Sequence, residues 1–205
     1  MHNFRKYMTA AVVLALAILA RGQDVLSIPD FSATQVFESR KATMSMRVFF
    51  SGSSVRVERS EALSTLYMPS ASKVYNFTTY PDHSRQCVVM KPEEAKMLPS
   101  PLALLQGSVL KRSPVGTGVV EGHPCKIENV VVTRADGSTI NSKVWEAQDL
   151  KGVPIKIESQ VGEFTLSAIY RDIVLGSPDN ALFTVPNKCT PFEKMGQVAE
   201  QNMIR

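Results

Sequence analysis

The sequence predicts a mainly β domain of the α+β kind, built on antiparallel strands. Three observations predict it. Residues 119–159 contain three strand-like runs divided by Asp136-Gly137 and Lys151-Gly152. Residues 31–90 contain six short runs in which apolar and polar residues alternate, with turn residues between them. Lys91–Gln106 breaks the alternation with three prolines and a cluster of leucines. Period-two alternation places one face of a sheet in a core and the other in water. A sheet with one buried face needs a cover, and the proline-punctuated segment is the natural candidate.

Taken in order, residues 1–22 read as an export signal. His2, Arg5 and Lys6 give a basic start, Ala10–Ala20 is apolar, and Ala20-Arg21-Gly22 is a small-x-small cleavage site. The apolar run falls short of the ~20 residues that a spanning helix needs. The full chain carries a formal charge of +4; without Arg5, Lys6 and Arg21, 20 basic residues face 19 acidic ones. That balance gives no argument for nucleic acid. The expected organisation is a signal over 1–22, one domain over 23–190 and a flexible tail over 191–205. The expected location is periplasmic or otherwise exported, soluble after cleavage.

Phe31–Glu38 and Thr43–Phe50 read as strands joined by a turn at Ser39–Ala42. Met44, Met46, Val48 and Phe50 share one face of the second. Ser54–Arg59 follows, with Val55 and Val57 opposite Arg56 and Glu58, then Leu63–Met68, Lys73–Tyr80 and Arg85–Met90. Lys91–Gln106 reads as one or two short helices: Pro92-Glu93-Glu94 suits a helix start, and Leu102–Leu105 an apolar turn stopped by Gly107. Residues 108–117 read as a polar connection. Cys125–Thr133, Thr139–Ala147 and Val153–Glu158 form the central trio, with Asp136-Gly137 as a hairpin turn. Val153, Ile155 and Ile157 fall on one face of the last. Residues 163–175 form a further strand, with Leu166 and Tyr170 on one side and Ile173 on the other. A single turn at Ala181–Phe183 precedes the tail.

The sequence holds no phosphate loop, dinucleotide fingerprint or nucleophile elbow, so no catalytic residues and no cofactor are expected. Cys87, Cys125 and Cys189 predict one disulfide and one free thiol in an oxidising compartment, with three pairings open. His83 near Cys87 and His123 near Cys125 make an alternative soft-metal set, although neither pair has the Cys-x-x-Cys spacing of structural zinc sites. The methionines on strands suit either an adaptable apolar pocket or an ordinary core.

The order of features then becomes informative: a signal, a meander, a proline-rich insertion, Gly122-His123-Pro124-Cys125-Lys126, the block from Val144 to Lys156 (VWEAQDLKGVPIK), and Ala181–Pro186 (ALFTVP). Over residues 29–190 this resembles an uncharacterised family of exported bacterial proteins, similar to the LolA-like superfamily of periplasmic lipoprotein carriers and outer-membrane lipoprotein-sorting proteins. The resemblance implies a strongly curved antiparallel sheet, an incomplete β-barrel covered by short helices, with an apolar cavity between. It implies a non-enzymatic, monomeric carrier whose partners are lipid or lipoprotein acyl chains. The expected lining is Met44, Met46, Val48, Phe50, Val55, Val57, Leu102, Leu105, Val144, Ile155, Ile157, Leu166 and Tyr170. A filled interior would instead favour an envelope domain that binds another protein. The carriers' long N-terminal helix is not evident in this chain.

Overall fold

The computed structural model describes residues 28–38, 43–95, 100–105, 109–133 and 137–194. The export signal, the turn at Ser39–Ala42, residues 96–99 and 106–108 of the insertion, the start of the Asp-Gly hairpin at 134–136, and the tail beyond Lys194 lie outside the described residues.

Two meanders meet in the middle of one sheet. The first runs outward from the centre: β1 (Phe31–Glu38), β2 (Thr43–Ser51), β3 (Ser54–Glu58), β4 (Leu63–Met68), β5 (Lys73–Thr79) and β6 (Arg85–Met90), each antiparallel to the last. The second returns inward from the opposite edge: β7 (Val109–Val120), β8 (His123–Thr133), β9 (Thr139–Ala147), β10 (Val153–Val161) and β11 (Phe164–Leu175). β11 closes against β1, Phe31 opposite Leu175 and Phe37 opposite Ala168. A two-residue strand, β12 (Thr190–Pro191), lies parallel to β6 at the far edge. The order is therefore β12-β6-β5-β4-β3-β2-β1-β11-β10-β9-β8-β7.

The sheet bends into an open half-barrel. One buried cluster draws Phe31 and Ala33 from β1, Val48 and Phe50 from β2, Val55 and Val57 from β3, Val130 and Val132 from β8, Ile157 from β10 and Tyr170 from β11. The α-helix packed on this face is α1 (Pro101–Leu104), which touches β3 in one half and β10 and β11 in the other. One helical turn cannot roof so many strands. The halves bury each other's inner side chains by curving together, and the end strands β7 and β12 remain unpaired with one another.

That geometry corrects the expected cover of short helices. Among the described residues of the insertion, Pro92–Ala95 forms only turns and bends, and α1 is four residues long. Closely spaced prolines forbid a longer run of i→i−4 bonds, and sheet curvature leaves little face to cover. β7 corrects the polar connection read over 108–117. It is a long edge strand that bulges between Pro114 and Gly116, where the ladder skips a residue. Edge strands tolerate Pro and bulges because only one side is hydrogen-bonded.

Two further bulges change which side chains face inward. The β9–β10 register slips between Pro154 and Lys156. The β1–β11 register slips between Ser32 and Thr34, opposite Asp172, whose φ is +52°. One extra residue in a strand reverses the side chains beyond it. Ile173 therefore packs on the core and Val174 is 63% exposed, the reverse of simple alternation.

Candidate functional site

The inner hollow is apolar and is occupied by the chain itself. Leu102 and Leu105 of the turn that spans Ser100–Leu105 are 0% and 2% exposed, inserted among Val48, Phe50, Val144, Ile157 and Tyr170. Phe31 anchors the floor, stacked on Phe50 at 5.7 Å and edge-on to Tyr170 at 6.4 Å.

The turn is tethered by a buried polar clasp. Ser100 caps α1, accepting the Leu102 N–H at 3.3 Å. Its hydroxyl donates to Gln35 Oε1, and the Tyr170 hydroxyl lies 2.9 Å from its oxygen. All three residues are essentially inaccessible to water. Burial pushes the Tyr170 hydroxyl well above its ordinary ionisation range, outweighing the Ser100 hydrogen bond that lowers it. Gln35 Nε2 has no partner among the described residues. A buried amide donor without an acceptor is costly. Polar groups mark one end of the inner face too: Arg112 bridges Glu128 and Glu146 (2.6 Å to the latter), with Lys126 beside Glu128.

Of the residues expected to line the hollow, Met46, Val48, Phe50, Val55, Val57, Leu102, Leu105, Val144, Ile157 and Tyr170 come together in the one buried cluster. Three do not. Met44 is 53% exposed at the open start of β2. Ile155, at the Pro154/Lys156 bulge, is 1% exposed but packs with Cys125, Trp145 and Ala147 in a separate cluster. Leu166 is half-buried, outside the cluster and towards the β10–β11 turn. The clasp residues Gln35 and Ser100 were missed. The signal was available for Gln35, a polar residue on the same side of β1 as Phe31, Ala33 and Phe37.

The cysteines resolve the open pairing. Cys87 on β6 is bonded to Cys189 just before β12, and Cys125 is a buried free thiol whose ionisation burial pushes up. The alternative metal set does not assemble. Cys87 is consumed by the disulfide, and the His123 ring nitrogen Nδ1 pairs with Asp149 at 2.8 Å. Among the described residues no three His, Cys, Asp or Glu side chains cluster as metal ligands. No helix among them is long and apolar enough to cross a membrane.

No protein-family model matches the chain, and no curated protein does. The solved structures it matches include a LolA superfamily protein. That protein, from Nitrosomonas europaea, is 11% identical, with 83% of this chain and 97% of the other covered at a TM-score of 0.33. MucB is 17% identical over 88% of this chain and 65% of its own, at 0.44. PNGF-II is 12% identical over 86% of this chain, at 0.43; the chain spans 32% of its length. At such low similarity the functional reading has to come from the geometry of this chain.

Proposed function

We propose that the chain is a non-enzymatic, exported binding protein that takes an acyl chain, of a lipid or a lipidated protein, against its curved inner face. The signal over 1–22 would deliver it to the periplasm, and 23–190 would be the binding domain. The supporting observation is that apolar side chains from both halves of the sheet face one interior, into which a short turn places Leu102 and Leu105 while Ser100 hydrogen-bonds to Gln35 and Tyr170. In this reading the turn is a stopper that leaves when cargo enters.

Magnitudes allow the exchange. Exposing three buried leucines costs about 5–9 kcal/mol, whereas burying about fourteen methylenes contributes about 11 kcal/mol. The two are close enough for reversible loading. The test is uptake of dansyl-undecanoic acid, with native mass spectrometry on gently purified protein. Wild type should take up one chain. Leu105→Ala should bind the dye more tightly while losing about 2–4 kcal/mol of stability, because a smaller stopper is easier to displace. If neither protein ever carries or takes up an acyl chain, the carrier reading ends. The occupied interior then favours the second reading, an envelope domain that binds another protein.

A further inference from the structure

The outer face of the first meander carries a second feature. After β11 the chain runs back across that face through a one-turn 3-10 helix (Asn180–Phe183) to the Cys87–Cys189 bond. Arg56 fastens this strap by donating to the Leu182 carbonyl at 3.0 Å. Between strap and sheet lies an open cleft of about 980 Å³, lined in part by Phe77, over whose ring the Arg56 guanidinium lies 5.4 Å from the centroid. It reaches from Thr34 on β1 across β2, β3, β4 and β5 to Arg85 on β6. Five inter-strand steps at ~4.8 Å make this roughly 24 Å, the length of about seven residues of extended peptide.

The charge in the cleft is one-sided. Arg47, Arg56, Arg59, Arg85 and Lys188 line it against Glu58 and Glu61, five cations to two acids. Glu58 is already held by Arg56 at 3.2 Å and lies 3.7 Å from Arg47. Arg59, Arg85 and Lys188 are exposed and have no acidic partner among the described residues. Unpaired cations around a recess raise the local concentration of anionic partners and speed their capture.

We propose that this cleft binds an extended acidic segment of a partner protein, carboxylates on Arg59, Arg85 and Lys188 and an apolar side chain against Leu182 and Pro186 of the strap. A membrane surface fits less well, because these cations line a walled recess and not a convex plane. The inference does not depend on whether the inner face takes lipid.

The test uses the full chain and a fluorescein-labelled nonapeptide with five glutamates and a central leucine. A peptide with lysines in place of the glutamates and anionic phosphatidylglycerol vesicles serve as comparisons. Wild type should bind the acidic peptide alone, with affinity falling steeply between 50 and 300 mM salt. The variant R59Q/R85Q/K188Q should lose at least tenfold, with an unchanged circular dichroism spectrum. A photoreactive residue in the peptide should cross-link to the strap or to β3–β6; this readout does not depend on the variant folding. Equal binding by the variant, cross-links elsewhere, or charge-dependent binding of vesicles without binding of the peptide would overturn the proposal.

Discussion

At the scale of single residues, polar side chains fasten an otherwise apolar fold. Asp30 ties three places together. Its carboxylate accepts from the Gly52 N–H at 2.8 Å, the Ser177 hydroxyl at 2.7 Å and the Ser51 hydroxyl at 3.3 Å. It thereby joins the start of β1 to the β2–β3 turn and the end of β11. The Gly52 N–H foremost, then Ser177, holds its ionisation below the ordinary 3.8. A depressed folded value means stability that is present above pH 3.8 and lost as pH falls through the folded value. Asp30→Asn should lower stability by about 1 kcal/mol at neutral pH and flatten part of the acid loss below pH 4, measured as urea midpoints across pH. Tyr170 has the opposite sign. Its folded value is raised above 10.0 by burial, so stability is intact below pH 10 and declines as pH climbs past it. Tyr170→Phe should cost about 1 kcal/mol at neutral pH by stripping the Ser100 hydroxyl of one partner, and should soften the alkaline decline. An unchanged urea midpoint and alkaline limb would show that the clasp does not hold the turn.

At the scale of elements, the readable strands were those with a wet face. In β3, Val55 and Val57 are buried while Arg56 and Glu58 are partly exposed, and this alternation is visible in the sequence. β7 was not legible. It is a sheet edge whose described side chains are mostly exposed, so Ser113, Pro114, Gly116 and Gly118 resemble a loop. Alternation places Ile173 on the opposite face from Tyr170 and groups Ile155 with Ile157, because it carries no mark of a bulge; only the ladder partners reveal the extra residue. The disulfide is also an element-scale device. It closes a loop of 102 residues, for which loss of chain entropy predicts about 3–5 kcal/mol of stability. The variant C87S/C189S should melt correspondingly lower, and dithiothreitol should shift wild type to the same midpoint. A variant as stable as wild type would show that the strap is held by packing alone.

At the scale of the whole molecule, what the sequence conveyed was a meander, an interruption and a second meander. The curved shape entered only through the resemblance, because no local pattern states how far a sheet bends. The interruption does lie on the inner face, as its leucines suggested, but as one short turn among side chains that meet from both halves. The outer cleft was illegible, since its cations lie far apart in the chain: strand pairing carries Arg59 and Arg85 to one face, and the Cys87–Cys189 bond draws Lys188 back to it.

One bank of that cleft is pinned at its far end by the bond between Cys87 and Cys189. With both thiols reduced, that bank would rest on the Arg56–Leu182 hydrogen bond and the packing of Phe183 and Val185 alone. The readiness of the cleft to grip an acidic partner would then follow the redox state of its surroundings.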